Sequence, residues 1–517
     1  MSVSRQKRNV FLIVIDQLRA DCLRLAINGK LVMPNLNEFR RHATTFNRHY
    51  SVTGPCGPSR ASLLTGLYAM NHRSVRNGAP LRADLTNIAL EVRKAGYEPL
   101  LFGYTDTSVD PRRRHPNDPD IRCYEGVMPG FNEVVEMRLE SGSFPWRAHL
   151  LSRGYELPKL GKFSAPREIN PLAGPNPSDP AFYRAEDSDT AFLTDSCIGQ
   201  LSVRSENQWF ALLTYLRPHP PFIAPEPYNR MHDPKYAPPA ERLATPAEEA
   251  NFHPFSAVGM KQNSIAKTVE GYGDQLNNES EADIAGLRSV YYGLASEVDH
   301  HVGRVIQFLK DSGQFDNTLV IITSDHGELL GDRRQWGKVS FHDAVFHVPL
   351  VIRDPDRIGM HGEEVDEFTE STDVSPTILD WLSGGFPSAM NGCSLLPHLA
   401  GHRPEEWRNC CYCEVDFGEP DEPTVWQREL GLGLREANFL VLRERQFKLV
   451  HFNGGLPPLL FDMQSTEGES LDLAGDPARS GELLRMTRKL LDHRMRHADH
   501  ALSDMKLTEA GTVNFRP

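Results

Sequence analysis

The sequence predicts an α/β protein with a large, mainly parallel, doubly wound sheet flanked by helices, followed by a smaller α+β unit. Residues 10–15 and 318–323 are continuous apolar runs rich in β-branched residues, which is typical of strands buried on both faces of a sheet. Helical patterns lie between such runs, and strands that alternate with helices favour parallel pairing. After about residue 400 the chain changes to short strand-like segments, which indicates the second unit.

The predicted elements of the first part follow the chain in order. Apolar runs predict strands, and 3.6-residue periodicity predicts helices; the strands are at 10–15, 209–214, 318–323 and 348–352 and the helices at 59–67, 85–95 and 282–309. In the long helix, Leu287, Val290 and Leu294 recur near helical spacing. Residues 106–180 and 228–278 are rich in proline and polar residues and are predicted as long insertions.

We therefore divide the chain into a main domain at residues 1–400 and a C-terminal domain at residues 401–517. Short apolar segments predict antiparallel strands in the second domain, followed by a helix; they lie at 439–442, 447–452 and 459–461, with the helix at 481–498.

Composition excludes some classes of function. The formal net charge is −13 and no basic run stands out, which argues against nucleic acid as a partner. A small anionic substrate is compatible with this charge, because a metal ion and a few cationic side chains set the field inside a pocket. No segment approaches the ~20 apolar residues of a membrane span.

The short apolar run at residues 10–15 does not fit a signal peptide, so we expect a cytoplasmic protein. The cytosol keeps thiols reduced, and most of the eight cysteines are therefore expected to be free. Cys410, Cys411 and Cys413 lack a second ligand pair at the spacing of a zinc site, so a strand that carries thiols is the better interpretation.

Acidic and polar side chains follow two of the predicted strands. Asp16 and Gln17 come directly after the first strand, and Asp325 and His326 follow the strand at 318–323. Ligands of parallel sheets bind beyond the carboxyl ends of the strands, so both pairs are expected in one crevice. Their chemistry suits Ca²⁺, Mg²⁺ or Mn²⁺, and the imidazole favours Mn²⁺ slightly. Each carboxylate alone could equally cap a turn, but two at strand ends favour a metal site.

Residues 56–66 read Cys-Gly-Pro-Ser-Arg-Ala-Ser-Leu-Leu-Thr-Gly. The segment resembles the sulfatase signature C-x-P-S-R-x-x-L-x-T-G, with every fixed position filled. In that family a dedicated generating enzyme oxidises the cysteine to formylglycine, so the resemblance implies this modification at Cys56 and that enzyme as a partner. Physical chemistry independently favours an anion site here, because a helix beginning near Ser59 offers unpaired N–H groups and Arg60 adds a fixed cation.

The resemblance extends over nearly the whole chain and implies an alkaline phosphatase-like fold. Residues 323–331 and the pair Gly337-Lys338 resemble the family's second metal motif and its lysine motif, and residues 218–222 resemble its histidine loop. The Asp-Gln and Asp-His pairs at the strand ends stand where many sulfatases have Asp-Asp and Asp-Asn. Together with residues 67–73, these pairs make the chain similar to the bacterial phosphonate monoester hydrolase and arylsulfatase branch.

The resemblance also implies a role for each site residue. One divalent ion would be the cofactor, Ca²⁺ or Mn²⁺ with Mg²⁺ as a third candidate. Arg60 would brace the nucleophile, while His219 and Lys338 would serve the leaving group as proton donor and charge stabiliser. Asn77 is a candidate for gripping a non-bridging oxygen, although a turn residue before Gly78 is an equal interpretation. The implied metal ligands are Asp16, Gln17, residue 56, Asp325 and His326, and the implied substrate contacts are Asn77, Tyr104 and Thr105.

The implied reaction is hydrolysis of a small anionic ester through a covalent intermediate. The hydrated aldehyde attacks sulfur or phosphorus, the alcohol leaves, and the hemiacetal then collapses and releases the acid group. The substrates implied are sulfate monoesters, phosphonate monoesters and phosphodiesters, and the sequence does not choose between them.

One position departs from the family pattern. Asp106 follows Tyr104 and Thr105 where another hydroxyl-bearing residue is expected, and the Lys-x-His pair of many sulfatases is missing. A carboxylate there repels an anionic substrate unless it turns away or meets the cations at residues 112–114. Because the cations of that Lys-x-His pair are missing, selection for a −2 charge is relaxed, and we expect a preference for monoanionic esters. His115 could replace the missing histidine, although a surface position suits so proline-rich a loop better.

Two other interpretations are open to the same residues. A phosphatase or mutase relative would use unmodified Cys56 or Ser59 and would need a second metal set, for which the sequence shows no ligands. A non-catalytic binding protein is disfavoured because the key residues are intact: Asp16, Cys56, Arg60, Asp325 and Lys338. The resemblance also suggests a homo-tetramer, with the C-terminal arm as a contact.

Overall fold

The computed structural model describes residues 8–138, 142–158, 176–269, 276, 279–499 and 502–514. In chain order its strands are β1 (Asn9–Ile15), β2 (Ala26–Ile27), β3 (Lys30–Leu31), β4 (Thr44–Tyr50), β5 (Pro99–Gly103), β6 (Asn132–Glu136), β7 (Phe210–Tyr215), β8 (Thr318–Thr323), β9 (Leu350–Arg353), β10 (Glu364–Glu370), β11 (Cys410–Asp416), β12 (Asn438–Glu444), β13 (Phe447–Phe452), β14 (Leu459–Asp462), β15 (Met505–Thr508) and β16 (Gly511–Asn514). Its α-helices are α1 (Pro34–Arg40), α2 (Cys56–Thr65), α3 (Ala69–His72), α4 (Ile88–Lys94), α5 (Phe144–Ser152), α6 (Asp189–Ser202), α7 (Pro246–Phe252), α8 (Pro254–Gln262), α9 (Glu281–Asp311), α10 (Asp343–Phe346), α11 (Val374–Ser383), α12 (Leu396–Leu399), α13 (Val425–Leu430) and α14 (Ser480–Arg496). None of the helices in these ranges is long and apolar enough to cross a membrane.

One large sheet has the strand order β10-β4-β9-β8-β1-β7-β5-β6. β1 lies in its middle, with Val10 opposite Leu319 of β8 on one side and Phe210 of β7 on the other. Pairing is parallel except at β9, which runs antiparallel to β4 and β8. Every residue of β1 is buried, as expected of a continuous apolar run at the centre of a parallel sheet. The predicted mainly parallel sheet is confirmed.

Helices cover both faces of this sheet. On one face, Leu193 of α6 and Leu287 of α9 join the apolar cluster that contains Phe11 of β1. On the other face, Leu63 of α2 and Ile378 of α11 pack with the alternate residues of β1. Side chains alternate between the faces of a strand, so a strand that is apolar at every position needs cover on both sides. The doubly wound architecture is therefore also as predicted.

The C-terminal part forms a separate antiparallel sheet in the order β11-β12-β13-β14. Leu490 of α14 packs against Leu449 and Leu460 of this sheet, which confirms the smaller α+β unit. The boundary at residue 400 stays a prediction. Phe255 of α8 shares an apolar cluster with Phe439 of β12, so the core of this unit includes residues from before that boundary.

The two predicted insertions contain elements of the main fold. β6 is an edge strand of the large sheet, with Asn132 paired to Leu100 of β5, and Trp146 of α5 is buried in the core. Residues 228–278 include α7 and α8. A five-residue edge strand between proline- and glycine-rich flanks gives too weak a periodic signal to be found from sequence. Parts of both insertions lie outside the described residues, at 139–141, 159–175, 270–275 and 277–278.

Candidate active site

The ends of β1 and β8 bring the predicted acidic residues together. These neighbouring strands run in parallel, so Asp16 and Asp325 leave the sheet at the same edge. Asp16, Cys56, Asp325 and His326 are all buried, and one donor atom of each lies within 4.8 Å of the others. Carboxylate oxygens with one imidazole fit a divalent ion of the Ca²⁺, Mn²⁺ or Mg²⁺ class.

Cys56 is the first residue of α2 and points at this centre. Its Sγ lies 3.1 Å from Nε2 of His326 and 4.0 Å from Oδ1 of Asp16. Burial, followed by the charge of Asp16, raises the pKa of the thiol well above its usual range. The helix begins earlier than the predicted residue 59 because Pro58 fits the first turn, where no backbone N–H is needed.

Arg60 lies one helical turn after Cys56 and joins the two carboxylates. Its Nε is 2.9 Å from Oδ2 of Asp325 and its Nη2 is 3.1 Å from Oδ2 of Asp16, with the side chain only 2 % exposed. The guanidinium also stacks on the Tyr104 ring at 4.1 Å. A planar fork that holds both carboxylates fixes their separation. The resemblance implied that Arg60 braces the nucleophile; in the structure its hydrogen bonds go to the carboxylates and to Tyr104.

Tyr104 and Thr105 are buried, and their hydroxyls are engaged with protein groups. The Tyr104 hydroxyl donates to Asp16. The Thr105 hydroxyl donates to the Gly126 carbonyl at 3.1 Å and accepts from the Met128 N–H at 2.7 Å. Tyr104 thus orients the Asp16 carboxylate and Thr105 anchors a loop. The contact of Tyr104 and Thr105 with substrate, which the resemblance implied, stays a prediction.

Gln17 lies beside the cluster and is held there by Glu328, a residue to which the sequence assigned no role. The Gln17 backbone N–H donates to Oδ1 of Asp325 at 3.1 Å, and its Oε1 accepts from Nζ of Lys338 at 3.0 Å. The side-chain amide of Gln17 donates to the buried Glu328, which also accepts from the backbone N–H of Leu330 at 2.9 Å. Glu328 stood inside the metal motif at 323–331, but nothing in the sequence showed that it would contact Gln17.

Lys338 contacts residue 56, and His219 is close enough to Lys338 and Asp325 to interact with their charges. Nζ of Lys338 donates to Sγ of Cys56 at 2.8 Å. Burial acts to lower the pKa of Lys338, but the acidic groups around it, Asp16 among them, raise that pKa above its usual range. Nδ1 of His219 lies 2.6 Å from the Pro220 carbonyl, which can only accept, so Nδ1 carries a proton. Burial, followed by the charge of Lys338, lowers the pKa of His219 well below its usual range. The structure therefore brings both predicted leaving-group residues to one site.

Asn77 is held at the start of α2. Its Oδ1 accepts from the Gly57 N–H at 3.0 Å, which leaves the amide N–H groups of Asn77 for an anionic oxygen. The turn position before Gly78 and the site position are therefore compatible, and the sequence had treated them as alternatives.

Asp106 also flanks the residue after Cys56. A methyl group added at Gly57 would lie 3.4 Å from Oδ2 of Asp106, and Oδ1 of Asp106 has no hydrogen-bond partner among the described residues. Burial raises the pKa of this carboxyl to about 7. The suggested pairing with residues 112–114 is wrong for two of the three arginines, since Arg112 pairs with Asp110 and Arg114 with two other acids of its own loop. His115 is exposed, as a surface residue of that loop.

Comparisons with known proteins agree with this geometry. A family model described as Sulfatase matches residues 8–385, and one described as N-sulphoglucosamine sulphohydrolase, C-terminal, matches residues 331–496. The multifunctional alkaline phosphatase superfamily protein PehA of Trinickia caryophylli is 38% identical over 98% of each chain.

Two solved structures cover the whole fold. Phosphonate monoester hydrolase SpPMH of Silicibacter pomeroyi is 50% identical, with a TM-score of 0.94 and 99% of each chain covered. Phosphonate monoester hydrolase of Agrobacterium radiobacter is 39% identical, with a TM-score of 0.92 over 99% of this chain and 100% of that chain. Likeness of this extent makes the protein a hydrolase of ester bonds within the alkaline phosphatase superfamily. The chain belongs to the sulfatase family, whose model matches well over half of its residues.

Proposed function

We propose that this enzyme hydrolyses sulfate monoesters, phosphonate monoesters and phosphodiesters, with formylglycine at position 56 and one divalent metal ion. The observation that carries the proposal is the position of Cys56 at the start of α2. Its side chain reaches the donor atoms of Asp16, Asp325 and His326 and lies 2.8 Å from Nζ of Lys338. That is the place for a nucleophile that must contact both a metal and a cation.

Each residue of the site has a separate role in the proposed reaction. The ion, when bound by the four strand-end residues and residue 56, would withdraw charge from the ester, and the hydrated aldehyde would supply the nucleophilic hydroxyl. Arg60 keeps Asp16 and Asp325 at a fixed separation. Lys338 balances negative charge that develops beside residue 56, and Asn77 offers its amide to a non-bridging oxygen.

His219 is placed to protonate the leaving group. Its Nδ1 proton is committed to the Pro220 carbonyl, so Nε2 is the nitrogen that can meet the departing oxygen. An anionic ester bound beside the ring favours the imidazolium, which has the proton to give. The S–O or P–O bond breaks, its electron pair stays on the leaving oxygen, and that oxygen takes the Nε2 proton.

A preference for monoanionic esters follows from Asp106 in the pocket, and a substrate panel tests it. We expect sulfate monoesters, phosphonate monoesters and phosphodiesters to react faster than phosphate monoesters, because the dianion of a monoester is repelled by the Asp106 carboxylate. Asp106→Asn should raise kcat/KM for a phosphate monoester on the order of tenfold relative to a phosphodiester, measured above the pKa of Asp106.

A matched control is Asp120→Asn, which removes an exposed acid that pairs with Arg114 on the same loop. It is expected to leave the ratio unchanged. Equal wild-type rates on a phosphate monoester and a phosphodiester would contradict the preference, whereas failure on every anionic ester would contradict the proposed function itself.

We also propose that the enzyme is a homo-tetramer held in part by its C-terminal arm. Leu491 on α14 is 56% exposed, and Leu507 on the β15–β16 hairpin is 82% exposed. Apolar surface that is exposed and contiguous is typical of a face that another subunit covers.

Charged substitutions test this assembly. Leu491→Asp together with Leu507→Asp is expected to lower the mass measured by light scattering from that of a tetramer to that of a smaller species. Leu151→Asp, which changes an exposed leucine of α5, should leave the mass unchanged. A wild-type protein that is monomeric at micromolar concentration would contradict the proposal.

A further inference from the structure

Arg217 and Asp189 form a buried ion pair next to the loop that carries His219. Nε of Arg217 is 3.3 Å from Oδ2 of Asp189, and the two side chains are 4% and 3% exposed. Asp189 is the first residue of α6, and the side chain of Ser188 caps that helix by accepting from the Ala191 N–H at 3.1 Å. The acid partner is therefore fixed to a rigid element of the main fold.

The other nitrogens of Arg217 bind the His219 loop itself. Nη1 donates to the Pro221 carbonyl at 2.9 Å and to the His219 carbonyl at 3.4 Å. Nη2 donates to the Tyr183 hydroxyl at 3.4 Å. A planar guanidinium that binds two carbonyls and a carboxylate sets the position of the loop relative to α6.

The imidazole depends on the same loop for its direction. Nδ1 of His219 donates to the carbonyl of Pro220, whose neighbours on both sides supply the carbonyls that Arg217 holds. A change in this backbone therefore turns the ring and moves Nε2. Displacements of ~1 Å at a reacting group are enough to cost on the order of a hundredfold in rate.

The buried acidic groups around Arg217 also favour a cation at its position. Glu297 of α9 faces the same pair, and its Oε1 has no hydrogen-bond partner among the described residues. Burial, followed by the charge of Asp189, raises the pKa of Glu297 to about 8. Asp189 is the acid within ion-pair distance of the guanidinium, and removing the cation would leave that carboxyl group buried without its partner.

We propose that Arg217 and Asp189 are positioning residues for His219, which set the point at which its Nε2 meets the leaving oxygen of the ester. This inference rests on the proposed role of His219 as proton donor. Neither residue is assigned a contact with substrate. Their effect should therefore appear in the cleavage of esters whose leaving group needs a proton, and not in esters that release a stable phenolate.

The test compares two phosphonate monoesters, one with a 4-nitrophenol leaving group and one with an alkyl alcohol leaving group. Arg217→Lys keeps the charge opposite Asp189 but loses the fork. We expect kcat/KM for the alkyl ester to fall by about 10- to 100-fold, a part of what a complete general acid contributes. For the nitrophenyl ester we expect a loss of less than about threefold, since that leaving group departs without a proton.

Two further variants serve as a control and as a milder test of the same contact. Arg184→Lys changes an exposed arginine that pairs with Asp187 just before α6, and it should leave both esters unaffected. Tyr183→Phe removes only the hydroxyl that Arg217 contacts, and it should show a smaller loss with the same dependence on leaving group. This milder change keeps the test decisive should Arg217→Lys fail to fold, which thermal unfolding will show.

His219→Ala distinguishes the proposed role of His219 as proton donor from the proposed positioning role of Arg217 and Asp189. If His219→Ala affects both esters equally, the histidine is not the proton donor and the proposed function is wrong at that step. If His219→Ala is selective for the alkyl ester but Arg217→Lys and Tyr183→Phe are not, the positioning role alone is contradicted. Support requires the same selectivity in all three, and no added loss when Arg217→Lys is combined with His219→Ala.

Discussion

Replacing Cys56 with alanine is expected to reduce kcat/KM by a factor of about 10⁴ to 10⁶, the scale on which removal of a covalent nucleophile acts in other hydrolases. Residue 56 is the group that the surrounding donors converge on: Lys338 donates to its Sγ at 2.8 Å, and His326 lies 3.1 Å away. Alanine is smaller and apolar, so the fold should survive. Rates on a sulfate and on a phosphonate ester measure the loss.

Serine at the same position gives a sharper result. A serine that the expression host leaves unconverted, as the peptide mass will show, still has a hydroxyl that can be esterified. The resulting ester lacks the second hydroxyl through which a hemiacetal collapses. We therefore expect Cys56→Ser to give one burst of product per active site and then stop, with the sulfated or phosphonylated peptide detectable by mass.

An exposed cysteine away from the site provides the control. Cys393→Ala changes an exposed cysteine and should have wild-type rates. Sustained turnover by Cys56→Ser would favour a serine or thiol mechanism of the phosphatase kind, and near-normal activity of Cys56→Ala would remove residue 56 from the chemistry altogether.

Asp325→Asn is expected to reduce activity by on the order of 10³-fold, because it takes one of two carboxylates from the metal site. It also removes the partner of Nε of Arg60, which lies 2.9 Å from Oδ2 of Asp325 in a fully buried pair. Breaking a pair of this kind costs on the order of 3 kcal/mol of folding free energy. The variant should thus be both less active and less stable.

Thermal unfolding separates metal binding from catalysis. After treatment with a chelator, wild-type protein should gain stability when Ca²⁺ or Mn²⁺ is added, by about 4 kcal/mol at a metal concentration ~1,000 times the Kd. Asp325→Asn should show almost none of this gain. Asp316→Asn, an exposed acid paired with Arg353 beyond the other end of β8, should respond like wild type. A full metal-dependent shift in Asp325→Asn would place the ion elsewhere.

The sequence predicted the parts of the fold that depend on local pattern. The apolar run that became β1 was placed correctly because a strand buried on both faces has no polar position to confuse its pattern. β6 was missed because a half-buried edge strand of five residues has almost no pattern. The start of α2 was placed late because Gly57 and Pro58 resemble helix breakers, although the first turn tolerates both.

The site likewise contains residues that the sequence predicted and contacts that it did not. Asp16, Asp325 and residue 56 were predictable, since strand ends and a dense motif mark them. The partners that orient them were not, because these contacts join residues far apart in the chain: Arg60 meets Asp325 across 265 positions. Pairings of that kind come from the packing of α2 against the sheet, and no local pattern encodes them.

Formylglycine at residue 56 can be detected in the mass of the peptide that spans His49 to Arg60, taken from protein made in its native host. We expect a peptide lighter than the encoded one by the exchange of a thiol for an aldehyde oxygen at residue 56. An intact cysteine in active protein, from a host whose formylglycine-generating enzyme works on other substrates, would contradict it.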